Sequence, residues 1–278
     1  MKKTVSSPSL VRMMPVRLPR ICVALSGADA TELLEKAELA VREDKFLEFR
    51  LDYLKQPAAA LPRLRRFVEM HPETMLIATC RRQANGGMFR GSVASQLEVL
   101  LKAADAGFKI LDIEIETAQA LKPAEIQKVR SRASLLLSFH DFKATRKLEE
   151  TFQKMIAIPA DYYKVATTAT KLYDNVVMMK FLEEKSQEHS VVGLCMGEQG
   201  IISRVLGLRA GSAFTFAAPG TGAPLSRCLT PIVSRPAASD STIRLHSVIP
   251  ESARRDVSRC QARGHVLSSH AVVPRRLD

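Results

Sequence analysis

The chain has 278 residues, of which 46% are hydrophobic, so it can bury one large core, and a single α/β domain is ordinary at this length. Its net charge of +12 comes from scattered basic residues without a stripe of stacking aromatics, which argues against nucleic-acid binding and favours a small anionic substrate. No segment is long and apolar enough for a membrane span or a signal peptide, and the five cysteines form no CxxC pair or Cys/His cluster, so we expect a cytoplasmic protein with reduced thiols and no bound metal.

Short runs rich in Val, Ile, Leu and Phe recur along the chain, separated by longer segments with helical spacing. Strands are predicted over 21–25, 46–53, 75–81, 109–115, 135–142, 162–168, 191–196 and 213–217. Helices are predicted over 29–41, 92–106, 123–133, 147–156, 174–188 and 200–208. This alternation predicts an α/β fold of the closed (β/α)8 TIM barrel type. A doubly wound open sheet is the alternative, although no GxGxxG motif follows the first strand.

The composition changes near Gly222, where Lys, Phe and Tyr disappear and Arg, Ser and Pro become frequent. No apolar stripe for an eighth helix is legible there, so we expect that helix to be absent or irregular and residues 222–278 to be disordered. A short terminal helix around 253–262 is the alternative. Residues 1–18 read as a basic, disordered tail, which leaves 19–221 as the barrel domain.

Polar residues interrupt several predicted strands close to their C-terminal ends, where parallel barrels carry their chemistry. In FLEFRLDYL, a period of two places Glu48, Arg50 and Asp52 on one face. Arg81 ends the next apolar strand and precedes the glycine-containing loop RQANGG. The segment KILDIEIE alternates in the same way and carries three acidic residues on one face, Asp112, Glu114 and Glu116. Charges that face the inside of a barrel must pair with one another or serve a ligand.

Two further side chains suggest catalysis. His140 ends a buried strand, where a near-neutral pKa suits proton transfer, although a lone histidine is more often a core or capping residue. Lys164 lies within a strand and is a candidate nucleophile, although a lone strand lysine more often extends its ammonium to solvent. Together with Glu48, Arg50 and Arg81 from other strands, the pair resembles an active site more than a packing solution.

The segment MGEQGIISRVLG follows the seventh predicted strand. Its glycines and Arg204 fit an anion site at the start of the next helix. A simple glycine-containing turn with a solvated arginine explains this segment equally well.

Taken together, these motifs resemble the type I 3-dehydroquinate dehydratases. The matching segments are EFRLD at 48–52, TCR at 79–81 followed by two glycines, SFHDF at 138–142, YKVA at 163–166 and the glycine-rich run at 196–216. The resemblance extends over about residues 19–219 and keeps the order of the family's motifs.

The resemblance implies a cofactor-free hydro-lyase of the shikimate pathway, which makes aromatic amino acids by a route that includes dehydration of 3-dehydroquinate to 3-dehydroshikimate. It implies that Lys164 forms an imine with the substrate ketone, that His140 transfers protons, and that Arg204 holds the substrate carboxylate. The residues that it implies to line the pocket are Glu48, Arg50 and Arg81. The only partner it implies is the small-molecule substrate, and homodimers are common in the family.

The chain also departs from the family pattern. Asn85 stands where some members carry a glutamate that orients the catalytic histidine. The family loop Ser/Thr-Ala-Pro-Gly-Gln is replaced by Gly222, Ala223, Pro224, Leu225 and Ser226, without its hydroxyl and glutamine. Some relatives continue into a shikimate dehydrogenase domain, so one interpretation is the truncated dehydratase half of such a fusion. Drift or an altered reading frame after the Pro224 codon is a further hypothesis.

Two alternative functions stay open. The first is another Schiff-base barrel enzyme of the aldolase class, which would also need a strand lysine. The pairing of SFHDF with several arginines argues against it. The second is a catalytically impaired barrel that still binds its ligand.

Overall fold

Eight short strands form from the apolar runs of the sequence. The computed structural model describes residues 19–217. The strands are β1 Ile21–Leu25, β2 Phe46–Arg50, β3 Met75–Thr79, β4 Ile110–Glu114, β5 Ser134–Asp141, β6 Tyr162–Thr168, β7 Val191–Met196 and β8 Thr215–Ala217. All paired neighbours are parallel, in the order β7-β6-β5-β4-β3-β2-β1-β8. The amide of Ala213 donates to the Val191 carbonyl at 2.8 Å, which brings the two edges of the sheet together. The predicted (β/α)8 TIM barrel is confirmed.

Helices connect successive strands on the outside of the barrel. They are α1 Ala30–Ala40, α2 Pro57–Met70, α3 Val93–Asp105, α4 Ile115–Ala120, α5 Pro123–Arg130, α6 Leu148–Ile156, α7 Tyr173–Lys185 and α8 Ile201–Leu206. Asp29 caps α1 by accepting the amides of Thr31 and Glu32, and Ser92 caps α3 by accepting that of Ser95. Such side-chain oxygens satisfy the amides that a helix start leaves free.

The helix α2 was not predicted from the sequence. Two prolines, Pro57 and Pro62, obscure its pattern. Pro57 occupies the first turn, where no backbone donor is needed, and the buried face still carries Leu61, Leu64 and Phe67. Burial of this face against the barrel therefore outweighs the low helix propensity of the second proline.

Several predicted strands were too long, among them β2, β3 and β4. β2 ends at Arg50, and Leu51–Tyr53 forms a 3-10 turn. β3 ends at Thr79, before Arg81. β4 ends at Glu114, so Glu116 lies in the first turn of α4 and the predicted acidic face does not continue to it. In each case the sequence still alternates after the chain has left the sheet, because hydrophobic periodicity alone cannot locate the last ladder hydrogen bond.

The alternation of each strand divides the core into two. A large cluster lies between strands and helices and includes Phe49, Leu111 and Val165. A second cluster is built from residues of the opposite strand face, including Phe46 and Phe214, whose rings meet edge to face at 4.9 Å. Strand residues of the second cluster alternate with those of the first, so the second cluster fills the barrel interior.

The expectations for the tails at 1–18 and 222–278, and for the barrel helix that would follow β8, concern residues outside the described range. Within 19–217, no helix has both the length and the apolar character needed to cross a bilayer.

Candidate active site

Lys164 lies at the centre of a charged cluster inside the barrel. Its side chain is 5% exposed and extends from β6. The ammonium Nζ lies 3.4 Å from Asp112 Oδ2 and 4.0 Å from Glu48 Oε1. The ring of Phe216 covers it from β8, with Nζ 3.8 Å from the ring centroid. A buried ammonium needs such partners, because desolvation without them costs several kcal/mol.

Asp112 connects Lys164 to the neighbouring strands. It accepts hydrogen bonds from Arg81 NH2 at 2.9 and 3.0 Å and from Ser138 Oγ at 2.6 Å. Burial alone would raise the pKa of Asp112, but the positive charges of Arg81 and Lys164 hold it well below its usual range. Asp112 is therefore ionised at neutral pH and lies between Arg81 and Lys164.

Glu48 is held on the other side of Lys164. Thr79 Oγ1 donates to Glu48 Oε1 at 2.6 Å, and both side chains are buried. Thr79 lies two residues beyond Ile77, which is the direct partner of Glu48 in the β2–β3 register. The hydroxyl fixes the carboxylate within reach of the Lys164 ammonium.

His140 lies one pleat beyond Ser138, the residue that pairs with Lys164 across β5 and β6. Its ring stacks on Phe142, with centroids 5.9 Å apart and an interplanar angle of 17°. Burial, together with the positive charges of Arg81 and Lys164, lowers the pKa of His140 well below its usual range. The imidazole is therefore neutral at neutral pH, the state in which it can accept a proton.

The Nδ1 nitrogen of the His140 ring has no hydrogen-bond partner within residues 19–217. Nδ1 is buried and, within the described part of the chain, accepts or donates no hydrogen bond. The Nδ2 of Asn85 donates to Glu116 Oε2 at 2.7 Å and not to His140. The tautomer of His140 is thus not set by a side chain among residues 19–217.

Arg50 forms its own ion pair at the end of β2. Its Nε and NH2 donate to the two oxygens of Asp52 at 2.9 and 2.8 Å, and its guanidinium lies over the ring of Tyr53. Asp52 also accepts the amide of Met88 at 3.0 Å, which ties the loop after β3 to β2. Burial alone would lower the pKa of Arg50, but pairing with Asp52 raises it above its usual value.

Arg204 is a partly buried cation without a carboxylate partner among residues 19–217. Its one recorded hydrogen bond is from NH1 to the carbonyl of Phe216 at 3.4 Å. Burial lowers the pKa of Arg204, although an arginine stays protonated. A desolvated guanidinium with free donors is suited to an anionic ligand, and the same Phe216 covers Lys164.

The six residues singled out from the sequence differ in how closely they are connected to Lys164. Glu48 and Lys164 face each other directly, Arg81 reaches Lys164 through Asp112, and Arg204 reaches it through Phe216. His140 is on the adjacent strand, whereas Arg50 is paired with Asp52 instead of with the central cluster.

Sequence reasoning missed four contributors to the site: Thr79, Asp112, Ser138 and Phe216. The alternation of KILDIEIE did place Asp112 on a polar face, which was the available signal. The other three resemble ordinary strand residues in sequence, and only the register between strands assigns them to the site. No set of three or more His, Cys, Asp or Glu side chains in the described range is arranged to hold a metal ion.

Comparisons with known proteins agree on one family. The family profile described as type I 3-dehydroquinase matches residues 21–227. A 3-dehydroquinate dehydratase of Dehalococcoides mccartyi is 36% identical over 214 residues, which are 74% of this chain and 88% of that protein. The 3-dehydroquinate dehydratase of Coxiella burnetii is 33% identical over 201 residues, covering 71% of this chain and 83% of its own length.

Solved structures agree on the fold. The 3-dehydroquinate dehydratase of Geobacillus kaustophilus superimposes with a TM-score of 0.69 at 24% identity, covering 78% of this chain and 90% of that one. A type I 3-dehydroquinate dehydratase from Clostridium difficile, with covalently modified comenic acid, gives 0.66 at 24% identity, covering 77% and 91%.

Proposed function

This chain belongs to the type I 3-dehydroquinase family, and from that premise we propose that it dehydrates 3-dehydroquinate to 3-dehydroshikimate through an imine formed by Lys164. The observation that carries the proposal is the buried Lys164 ammonium, held between Asp112 and Glu48 inside the barrel. The two carboxylates hold the ammonium inside the barrel and give it a proton acceptor within reach, and the amine formed by proton loss can attack a ketone.

The first half of the reaction builds the imine. The Lys164 ammonium first passes one proton to the neighbouring Glu48 carboxylate, and the resulting amine adds to the substrate ketone. The amine proton and the proton returned by Glu48 convert the ketone oxygen to water, and its departure leaves a protonated imine. The neighbouring carboxylates, Asp112 at 3.4 Å and Glu48 at 4.0 Å, lie where they stabilise its positive charge. The protonated imine withdraws electrons and so acidifies the adjacent C–H.

The second half eliminates water. Neutral His140 takes the proton from the carbon next to the imine, and the electrons of that C–H bond form an enamine. The enamine expels the hydroxyl on the following carbon, and the protonated His140 supplies the proton that turns it into water. Hydrolysis of the product imine consumes one water and frees Lys164, so one water is released overall.

In this proposal, the charged side chains around Lys164 bind the substrate. Arg204, which has free donors, binds the substrate carboxylate in this proposal. Glu48, Arg50 and Arg81 line the pocket, and Arg81 acts through its ion pair with Asp112. The catalytic domain in this proposal extends over residues 19–221, and the small-molecule substrate is the partner it requires.

Borohydride trapping tests the nucleophile. Incubation with 3-dehydroquinate or its product and borohydride should add the mass of the reduced ligand to a peptide containing Lys164. The variant Lys164→Ala should lose the adduct. The control is Lys171→Ala, because Lys171 is an exposed lysine outside the cluster. An adduct on Lys171 or Lys180 would remove Lys164 from its proposed role.

Turnover separates the alternatives. The conjugated product absorbs in the near ultraviolet, so its formation from 3-dehydroquinate can be followed directly. A barrel that binds the substrate without producing this absorbance would be a catalytically impaired relative. Cleavage of a carbon–carbon bond in an aldol substrate would instead indicate the aldolase class.

A further inference from the structure

Gln96 lies on α3, outside the barrel, yet it contacts the strand ends that carry the site. The side chain is fully buried. Its Nε2 donates to Glu114 Oε2 at 2.7 Å and to the Cys80 carbonyl at 2.9 Å. Its Oε1 accepts from Thr117 Oγ1 at 2.9 Å. One amide therefore connects α3 with the ends of β3 and β4 and with the first turns of α4.

The orientation of this amide is fixed by its partners. The Cys80 carbonyl can only accept, and an ionised Glu114 can only accept, so both must face the NH2 group. The hydroxyl of Thr117 can donate to the remaining oxygen. Exchanging the nitrogen and oxygen of Gln96 would place an acceptor against two acceptors, which leaves a single arrangement.

Glu114 connects Gln96 to the charged cluster around Lys164. Its Oε1 accepts the backbone amide of Arg82 at 3.1 Å and lies 3.6 Å from Arg81 Nε. Arg81 in turn donates to Asp112 at 2.9 Å, and Asp112 is 3.4 Å from the Lys164 ammonium. A continuous set of polar contacts therefore leads from α3 to Lys164.

The charge of Glu114 is under opposing influences. Its pKa lies above the usual value, because burial and the nearby charge of Asp112 raise it by more than Arg81 and the hydrogen bond from Gln96 lower it. The charged groups that face Glu114 are Arg81, just after β3, and Asp112 from its own strand, while Gln96 from α3 is neutral. Losing the Gln96 donor would favour the neutral carboxyl, and Arg81 would then lose one of its two flanking anions.

We propose that Gln96 is a positioning residue for the dehydration: it holds the Glu114 carboxylate against Arg81 and the Arg82 amide, and so keeps Arg81 in place beside Asp112 and Lys164. The kinetic consequence rests on the proposed function, whereas the effect on Glu114 does not. The two are therefore tested separately.

The first test is a carbon-13 NMR titration of the Glu114 carboxyl, with its signal assigned by its absence in Glu114→Gln. In Gln96→Met, which keeps the volume and removes the donor, the titration midpoint should rise by about one pH unit or more, the effect of losing a hydrogen bond to a charged group. If Gln96→Met does not fold, Thr117→Val releases the amide oxygen and should shift the midpoint in the same direction by less. An unchanged midpoint in the folded variant would overturn the proposal.

The second test is a double-mutant cycle in the turnover of 3-dehydroquinate. Gln96→Met and Glu114→Gln should each lower kcat/KM by about fivefold or more, and the double variant should lose little beyond either one, since both act through the same contact. The control is Val129→Ala, a buried change on α5 that lowers stability without contacting this network. Losses that multiply, or a loss matched by Val129→Ala, would reduce Gln96 to a packing residue. If the wild type does not turn over, the proposed function fails, and the NMR midpoint still decides the role of Gln96.

Discussion

Asp112 and Lys164 form a buried ion pair across two strands of the barrel. Oδ2 and Nζ are 3.4 Å apart although β5 lies between β4 and β6 in the sheet. The intervening strand contributes Ser138, which also donates to Asp112. The inward curvature of the closed sheet brings these side chains together, so the pair depends on the barrel as a whole and not on a local motif.

Replacing Asp112 should therefore be costly. Asp112→Asn leaves Arg81 and Lys164 buried without their shared anion, and breaking a buried pair in this way typically costs about 3–5 kcal/mol. We expect a marked fall in the free energy of unfolding from urea titration, together with loss of turnover. Ser138→Ala is the matched control, because it removes one hydrogen bond and no charge; an equal loss in both variants would contradict the role of the charge.

The same carboxylate predicts part of the acid sensitivity. Its folded-state pKa is depressed, so it contributes stability that is present above its unfolded value of about 3.9 and is lost as the pH falls towards the folded value. Unfolding free energies measured from pH 5 downwards should fall more steeply for the wild type than for Asp112→Asn. Parallel curves would show that Asp112 titrates alike in both states.

His140 predicts a different pH dependence. Its folded-state pKa is lowered, so it stays neutral in the protein while the unfolded chain takes up a proton below about pH 6.5. The stability associated with His140 should therefore be lost as the pH falls through 6.5, and His140→Gln should remove that part of the slope. An identical pH dependence in the variant would show that this histidine is not perturbed.

The same variant tests the proton transfer. His140→Gln should slow turnover by about 10²–10⁴-fold, the usual contribution of a general acid–base group, while the borohydride adduct at Lys164 still forms. Stopped-flow absorbance and mass spectrometry measure the two quantities separately. Near-normal turnover would assign the base to another residue.

Removing Arg204 and removing Arg81 should affect stability and substrate binding differently. Arg204 has no carboxylate partner within residues 19–217, so Arg204→Met should weaken substrate binding, seen as a higher KM, with little loss of stability. Arg81→Met removes the partner of Asp112 and should lower the free energy of unfolding by several kcal/mol. Thermal melts and Michaelis constants for both variants test the contrast; comparable losses of stability would contradict it.

Gly86 is expected to set the place of the aromatic ring beside His140. It has a φ of 78°, and a Cβ there would overlap the ring of Phe142, which stacks on His140. Gly197 has a similar φ of 82°, but the nearest atom to its added Cβ is 3.7 Å away. Gly86→Ala and Gly197→Ala should therefore share a backbone cost of about 1 kcal/mol, and only Gly86→Ala should also lower kcat. Equal kcat values would show that Phe142 does not orient the histidine.

Much of the fold was legible in the sequence because each strand is a short apolar run bounded by turn residues. The site was legible only where an unusual residue interrupts such a run, as Lys164 does in β6 and Arg81 does after β3. For Asp112 the sequence showed only a polar strand face, and for Ser138 it showed no signal, because the partners of both residues lie on other strands and depend on register. The role of Gln96 is harder still to predict from the sequence. A glutamine on an amphipathic helix is ordinarily exposed to solvent, and only the packing of α3 shows that this one is buried.

The break between α4 and α5 at Lys122 separates the barrel into two parts that contribute different charged groups to the site. The part before it supplies the carboxylates Glu48 and Asp112 together with Arg81, and the part after it supplies Lys164, His140 and Arg204. Neither fragment holds all of the groups that the proposed reaction needs. In the first fragment Arg81 is outnumbered by the carboxylates of the cluster, and in the second Lys164 lacks them. Two separately expressed halves should therefore regain activity only on reassembly, with opposite charges inside the barrel helping to select the correct pairing.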